Sequence, residues 1–397
     1  MPADDAKLLI GAQTRPRADA RATLLVASIA HALHDGYTDL IYVLLPVWQA
    51  EFGLGYGIVA LLRGIYAGTM AGLQIPAGHL ARRIGGRALL AAGTALAALG
   101  YGLAGLSGGI FGLCAALALS GAGSSTQHPI ASAAVSRAYG PAARGPLGTY
   151  NFSGDLGKAA IPAGVGLLLM LMPWRKSLWL MAGFGLVVAA VIAWKLPPTS
   201  QAPSEDASSP VAGRGRGGFP LLFAIGVLDT GVRMGLLTFL PFLLKAKGAT
   251  LPTVGLALSL VFIGGAAGKF ACGWLGARVG VLWTVLLTEG GTAACILAVL
   301  MLPLAATLFL LPFLGIVLNG TSSVLYGTVP DLVTRDRTEH AFAQFYTGTI
   351  GSGAIAPVLY GVLGDAVGAN WATAATAITA LATFPLAIAL APRLAPR

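Results

Sequence analysis

Long apolar runs alternate with short charged clusters along the whole chain. A helix of about twenty apolar residues is long enough to cross the hydrocarbon core of a bilayer. The pattern therefore predicts an all-α integral membrane protein with twelve transmembrane helices. The predicted spans are 22–47, 56–80, 87–107, 109–136, 144–171, 174–196, 218–244, 252–277, 280–303, 305–330, 340–366 and 370–392.

One polar segment, residues 197–217, divides the spans into two sets of six. It is rich in Pro, Ser and Gly, a composition typical of a linker. We therefore expect an N-terminal six-helix bundle in residues 1–196 and a C-terminal six-helix bundle in residues 218–397, joined by a cytoplasmic linker.

The two halves share a repeated motif. Residues 78–85 and 273–280 both read GxLxxRxG, 195 positions apart, at the ends of the second and eighth spans. We assign Gly78 and Gly85 a structural role in this motif. A repeat of this size predicts two related bundles with a site between them near the midplane. Polar residues pair at nearly the same offset: Asp35 with Asp229, Asp39 with Arg233, His128 with Tyr326, and Tyr150 with Tyr346.

Charge and composition narrow the function. Charged residues make up 10% of the chain, against about a quarter in soluble domains. Seventeen Lys and Arg lie on the N-terminal side of the spans and four on the other side. This excess marks the cytoplasmic face, so both termini are predicted to be cytoplasmic and nucleic acid is not an expected partner. The sequence holds no nucleophile–base arrangement or metal-ligand spacing, so no enzyme activity, cofactor or resident metal is predicted.

The spans, the linker and the GxLxxRxG loops resemble the major facilitator superfamily. The family carries Asp in these loops where this chain has Arg82 and Ala277, so we do not transfer the role of that Asp. Residues 121–129 and 150–157 are similar to the bacterial fosmidomycin-resistance group of drug exporters. The resemblance implies a monomeric exporter in the bacterial inner membrane that works by antiport.

A polar stripe runs along the first span. His31, Asp35 and Asp39 are four residues apart and share one helix face, with His34 beside them. Ionisable groups within a bilayer are costly and mark a functional path or a partner. We interpret Asp35 and His34 as proton-coupling residues and His31 and Asp39 as substrate contacts. The alternative is structural: Asp35 tied to a basic neighbour, and Asp39 paired with Arg63.

Two other spans carry an acid and a base close together. Asp229 and Arg233 lie one turn apart in the seventh span. Asp229 is a second proton-coupling candidate, and Arg233 could anchor an anionic substrate because guanidinium binds carboxylate or phosphonate in a bidentate way. A self-satisfied pair is the alternative. In the fifth span, Asp155 is a further proton-coupling candidate and Lys158 a substrate contact.

The remaining candidates are weaker. Lys269 and Glu289 replace uncharged residues of the first repeat together, which favours a structural salt bridge between them. Polar residues of the fourth, fifth, tenth and eleventh spans are expected to line the substrate path: Gln127, His128, Tyr150, Asn151, Asn319, Tyr326 and Tyr346.

The leading hypothesis is a proton-coupled secondary transporter of a small anionic or zwitterionic molecule that works by alternating access between its two halves. The sequence lacks a Walker A motif, so ATP does not drive it directly. A second hypothesis is transport of a divalent metal or a metal chelate, because the His and Asp residues of the first and fourth spans are possible ligands. A non-transporting membrane receptor is the alternative of another class.

Overall fold

The computed structural model describes residues 15–197, 217–334 and 337–394, and the regular elements in these ranges are helical. Most of the predicted linker and both chain ends lie outside the described residues. The helices are α1 (Arg15–Phe52), α2 (Tyr56–Ile84), α3 (Gly86–Ala104), α4 (Ile110–Ser124), α5 (Gln127–Tyr139), α6 (Arg144–Leu171), α7 (Trp174–Lys195), α8 (Phe219–Ala246), α9 (Leu251–Val279), α10 (Val281–Met301), α11 (Leu304–Leu332), α12 (Thr338–Val367), α13 (Ala369–Leu381) and α14 (Thr383–Leu390).

Each of the twelve predicted spans coincides with helix. Ten helical segments in the described ranges are long and apolar enough to cross a membrane. α1 is not one of them, because its polar stripe lowers its mean hydropathy. The fourth predicted span is not one either, because it is divided between α4 and α5.

The break between α4 and α5 has a local cause. α4 ends at Ser124 and α5 begins at Gln127, two residues before Pro129. Proline has no N–H to donate, and its ring excludes the carbonyl four residues earlier. The hydroxyl of Thr126 donates back to a carbonyl of α4 across this break. Pro129 therefore accounts for the break between the two helices.

The last glycine of each GxLxxRxG motif is a turn residue. Gly85 joins α2 to α3 with φ of 89°, and Gly280 joins α9 to α10 with φ of 90°. An L side chain rarely adopts this left-handed conformation, which explains a glycine at both positions. Gly78, the first glycine of the motif, has no such conformation, and a Cβ added there would meet no atom within 4 Å.

The chain forms two compact units. The first comprises residues 15–38, 72–158 and 175–197. Its helices approach closely at glycines: a Cβ on Gly100 would lie 2.6 Å from the backbone nitrogen of Ser120. Small residues allow such contacts between membrane helices. The Tyr101 hydroxyl donates to the carbonyl of Tyr37, whose own hydroxyl donates to the Met181 carbonyl, so α1, α3 and α7 are joined.

The second unit comprises residues 39–71, 159–174, 217–334 and 337–394. Here α9 packs on α11 through Gly264, Gly268 and Gly315, where an added Cβ would overlap backbone of the neighbouring helix. The limits of the units fall inside α1, α2 and α6, and after the first residue of α7. The division into bundles of residues 1–196 and 218–397 stays a prediction.

Candidate functional site

The polar stripe of α1 leads to a cluster of charged side chains in the first unit. Asp35 is buried, and three basic groups face its carboxylate. His31 Nε2 and Lys158 Nζ each lie 3.3 Å from Asp35 Oδ2, and His128 Nε2 lies 3.6 Å from Oδ1. The structure thus brings together residues of α1, α5 and α6 that the sequence predicted separately.

Glycines on α6 make room for this cluster. A Cβ on Gly157 would overlap the backbone carbonyl of Ala32 on α1, and a Cβ on Gly154 would lie 2.6 Å from Asp35 Oδ2. Because both positions lack a side chain, α6 approaches α1 closely enough for Lys158 to reach the carboxylate.

His31 is held with one ring nitrogen toward Asp35. Its Nδ1 lies 2.8 Å from the backbone carbonyl of Tyr150, and its ring stacks on the Tyr150 ring. A carbonyl only accepts hydrogen bonds, so Nδ1 carries a proton and Nε2 faces Asp35. The Gln127 amide in turn donates to the Tyr150 hydroxyl over 2.9 Å. These contacts hold the His31 ring with Nε2 directed at the carboxylate.

His34 is held differently. The Thr94 hydroxyl donates to the Leu90 carbonyl, so its oxygen, 2.9 Å away, accepts from His34 Nε2. Nδ1 then accepts from Ser124 Oγ over 3.0 Å. Both ring nitrogens are satisfied in the neutral form. His34 thus joins α1 to α3 and α4 by hydrogen bonds, and a part in proton coupling stays a prediction.

The cluster has a buried side and an accessible side. The side chains of His31 and Asp35 are 5% and 10% exposed, whereas those of Lys158 and His128 are 30% and 41% exposed. Further along α6, Asp155 is half-buried and Asn151 is exposed. The more exposed side of the cluster therefore carries the Lys158 and His128 nitrogen groups, and the carboxylate lies behind them.

A second group of charges lies in the second unit. Asp229 is buried on α8, and Arg233 Nη2 lies 3.9 Å from its Oδ2. Arg233 also donates to the hydroxyls of Ser322 and Thr230, each over 3.3 Å. Asp229 Oδ2 and Arg233 Nε are buried without a hydrogen-bond partner. The predicted pair is therefore present but leaves polar atoms available for further contacts.

Glu289 is another buried acid of the second unit. It is buried on α10, and its Oε2 is buried without a hydrogen-bond partner, like Asp229 Oδ2. The salt bridge between Glu289 and Lys269 stays a prediction. In the sequence repeat, Glu289 occupies the position of Thr94. Thr94 contacts His34 on the first helix of its own half.

Asp39 and Arg63 are both buried where α1, α2 and α8 meet. The Arg63 guanidinium lies 5.5 Å from the centre of the Tyr42 ring, and its Nη2 lies 3.6 Å from Met234 Sδ. A guanidinium over an aromatic face is a favourable cation–π arrangement. These contacts hold Arg63 in a packed setting, and its structural role stays a prediction.

Three predicted lining residues lie on α11 and α12. The Asn319 amide donates to the Gly315 carbonyl of its own helix over 3.1 Å. Tyr326 and Tyr346 contact each other with ring centres 4.8 Å apart, and Tyr346 is half exposed. Their role in binding stays a prediction.

The chain matches the model of the Major Facilitator Superfamily over residues 27–228 and 221–397. It therefore belongs to the major facilitator superfamily, as the sequence resemblance implied. It is a multi-pass integral membrane protein and a secondary transporter, not an enzyme.

Solved structures show the same fold. A bacterial homolog of the human lysosomal transporter Spinster, inward-facing and unoccupied, aligns with a TM-score of 0.78 at 15% identity, covering 95% of this chain and 98% of that one. Its inward-facing occupied form gives 0.75, also at 15% identity, over 94% and 96% of the two chains. The peptide transporter POT in complex with sulfate gives 0.72 at 14% identity, over 94% and 95%. No curated protein matches the chain.

Proposed function

We propose that this transporter exchanges protons for a small zwitterionic or anionic compound and exports that compound across the bacterial inner membrane. The observation that carries the proposal is the buried Asp35 carboxylate, which faces His31, His128 and Lys158. We also propose that it acts as a monomer with both termini in the cytoplasm.

The cluster can couple a proton to a substrate by competition. A substrate ammonium group that pairs with Asp35 excludes a proton from the same carboxylate, which is the requirement for antiport. The anionic group of that substrate would pair with Lys158, whose side chain is partly exposed. Arg233 of the second unit offers another anchor for an anionic group. The charges in the cluster thus suit a zwitterion best.

The resemblance to fosmidomycin-resistance exporters supports export of a drug-like compound. The two segments that carry the resemblance, residues 121–129 and 150–157, both contribute to this cluster. The first supplies His128, and the second supplies Tyr150, whose carbonyl holds His31.

Flux in proteoliposomes tests the proposal. We expect a pH gradient to drive uptake of at least one solute from a panel of zwitterionic and anionic compounds, and Asp35→Asn to reduce that flux about tenfold or more. A tenfold loss corresponds to about 1.4 kcal/mol of the barrier. Asp331 is an exposed carboxylate at the end of α11, so Asp331→Asn is the control and should keep wild-type flux.

The anion anchors are tested in the same assay. Lys158→Gln and Arg233→Gln should each slow transport of solutes with an anionic group. If both variants are folded and inserted yet transport these solutes at the wild-type rate, the assignment of the two residues is wrong. If Asp35→Asn keeps its pH-driven flux, the coupling role of Asp35 is wrong.

One observation favours a second candidate, transport of a divalent metal. Ligand atoms of His31, Asp35 and His128 all lie within 4.8 Å of one another. The Tyr150 carbonyl on His31 Nδ1 is the kind of outer contact that orients a metal-bound histidine. Calorimetry with Zn²⁺ distinguishes the candidates: stoichiometric binding lost in His128→Ala but kept in the exposed His79→Ala supports a metal, and no binding excludes this candidate.

A further inference from the structure

Two buried hydrogen-bond donors contact the same sulfur atom in the second unit. Arg63 Nη2 lies 3.6 Å from Met234 Sδ, and the Tyr42 hydroxyl oxygen lies 3.5 Å from it. Tyr42 is fully buried, and Arg63 is 4% exposed. A thioether is only a weak acceptor for the donors of a guanidinium group and a phenol. Both donors are therefore bound to an acceptor weaker than an oxygen atom.

The Arg63 guanidinium also has a donor that the folded chain leaves unused. Its Nε is buried and has no hydrogen-bond partner. The Tyr42 ring, 5.5 Å from the guanidinium carbon, adds a cation–π contact, which does not satisfy an N–H group. Buried donors without a partner are rare in proteins, so each one calls for an explanation. An acceptor supplied by a ligand is an explanation that suits a transporter.

Met234 is the member of this group that is suited to move aside. It is partly exposed, unlike the two donors, and a methionine side chain has three rotatable bonds. Its displacement would break two weak contacts, whereas an oxyanion in its place would form charge-assisted hydrogen bonds, which are roughly twice as strong as neutral ones. A carboxylate or phosphonate presents two oxygens and so matches the planar fork of guanidinium N–H groups.

A buried acid on the same helix bears on the charge of such a ligand. Asp39 is 5% exposed and lies three residues before Tyr42 on α1, so the two residues are neighbours on the helix surface. Its carboxylate would repel an anion and attract an ammonium group. We therefore expect a zwitterion to bind more tightly than a simple anion with the same oxyanion group.

We propose that Arg63 and Tyr42 form a binding site for the oxyanion group of a small solute, and that the Met234 thioether occupies this site when no solute is bound. None of these three residues belongs to the cluster around Asp35. That the bound solute is the one transported rests on the proposed function; that an oxyanion binds here does not. The structural role that the sequence predicts for Arg63 is the competing interpretation.

Calorimetry on the purified protein tests the site at equilibrium, without a pH gradient. The probes are methylphosphonate and aminomethylphosphonate, which share the oxyanion and differ by an ammonium group. We expect both to bind wild type, the second more tightly. Arg63→Gln should weaken binding of each probe about tenfold or more, and Tyr42→Phe about threefold or more. Arg278 is an exposed arginine on α9, so Arg278→Gln is the control and should bind as wild type does.

Met234→Ala tests the occupancy of the site by the thioether, through a gain of affinity rather than a loss. A probe that no longer has to displace the sulfur should bind about threefold more tightly or better. Met170 on α6 is 69% exposed, and Met170→Ala should leave the affinity unchanged. Equal or weaker binding by folded Met234→Ala would show that the thioether does not occupy the site.

Folding of each variant is checked by size-exclusion elution and thermal unfolding. Arg63→Lys keeps the positive charge but not the planar fork, so it should also bind weakly if Arg63→Gln fails to fold. No binding of either probe to wild type overturns the proposal. Wild-type affinity in folded Arg63→Gln or Arg63→Lys also overturns it and supports the structural role.

Two further variants separate this site from the anion anchors proposed above. If probe binding is lost in Lys158→Gln or Arg233→Gln but kept in Arg63→Gln, the oxyanion binds at those anchors and the proposal is wrong. Because no flux is measured and Asp35 is left intact, failure of this site and failure of the proposed antiport would be told apart.

Discussion

For a single histidine, the contacts of the two ring nitrogens decide whether the ring can take up a proton. His31 has one nitrogen on the Tyr150 carbonyl and the other toward Asp35, so a second proton would strengthen its contact with the carboxylate. His34 is fixed at both nitrogens by the hydroxyls of Ser124 and Thr94, and a second proton would lose one of these hydrogen bonds. Two histidines three positions apart on one helix therefore differ in the contacts of their ring nitrogens.

The contacts of His34 give a prediction. His34→Ala leaves the hydroxyls of Ser124 and Thr94 without this partner in a buried setting, which costs about 1–3 kcal/mol of stability. We expect a lower temperature of unfolding in detergent, while the pH dependence of transport by the remaining folded protein keeps its wild-type shape. His79→Ala, at an exposed position on α2, should change neither quantity. A shifted pH dependence in His34→Ala would instead place His34 in the proton path.

The sequence predicted part of this chemistry. The spacing of His31 and Asp35 fixes their shared helix face, so their contact followed from the sequence alone. That Lys158 and His128 reach the same carboxylate depends on how α5 and α6 pack, which spacing along one helix does not determine. The pairing of Glu289 with Lys269 stays a prediction, because the repeat shows that both positions change together but not which helix faces meet.

For the helices, hydropathy predicted the number of spans better than their ends. α1 begins at Arg15, seven residues before the apolar run, because helical hydrogen bonding continues where hydropathy falls. The predicted fourth span is divided two residues before Pro129, because the effect of proline on a helix is local. The close approach of α6 to α1 was not predicted, although the glycines that permit it stand in the sequence.

The packing of α6 on α1 depends on a glycine at position 157, which predicts the effect of a larger residue there. Gly157→Ala would drive a methyl group into the Ala32 carbonyl, so α6 must move away from α1. Overpacking of this kind costs about 1–3 kcal/mol. We expect a lower temperature of unfolding together with weaker pH-driven flux, because Lys158 moves away from Asp35.

Gly164 on the same helix is the matched control. An added Cβ there meets nothing within 4 Å, so Gly164→Ala should unfold at the wild-type temperature or above it, because alanine favours helix over glycine by up to about 1 kcal/mol. Equal stability of the two variants would show that the contact at Gly157 does not hold α6 in place.

For the whole molecule, the most informative packing joins α2 to α12 within the second unit. A Cβ on Gly361 would lie 2.7 Å from the Tyr56 carbonyl, and one on Gly64 would lie 3.0 Å from the Ala354 carbonyl. α2 precedes the linker in the chain and α12 follows it. A transporter that works by alternating access must separate and rejoin such contacts between its halves.

The Asp365 carboxylate, near the end of α12, adds hydrogen bonds to this packing of α2 against α12. It accepts the backbone N–H groups of Tyr56 and Gly57 over 2.5 and 2.9 Å, at the first turn of α2. An anion at a helix N-terminus contributes about 0.3–2 kcal/mol, so Asp365→Asn should lower the protection of these amides from hydrogen exchange by a factor of roughly two to thirty. Exchange measured by mass spectrometry should rise in peptides that contain Tyr56 and Gly57 and stay unchanged in Asp331→Asn. Equal exchange in wild type and Asp365→Asn would show that the carboxylate does not stabilise the contact between α2 and α12. Apolar packing alone would then keep the two helices together.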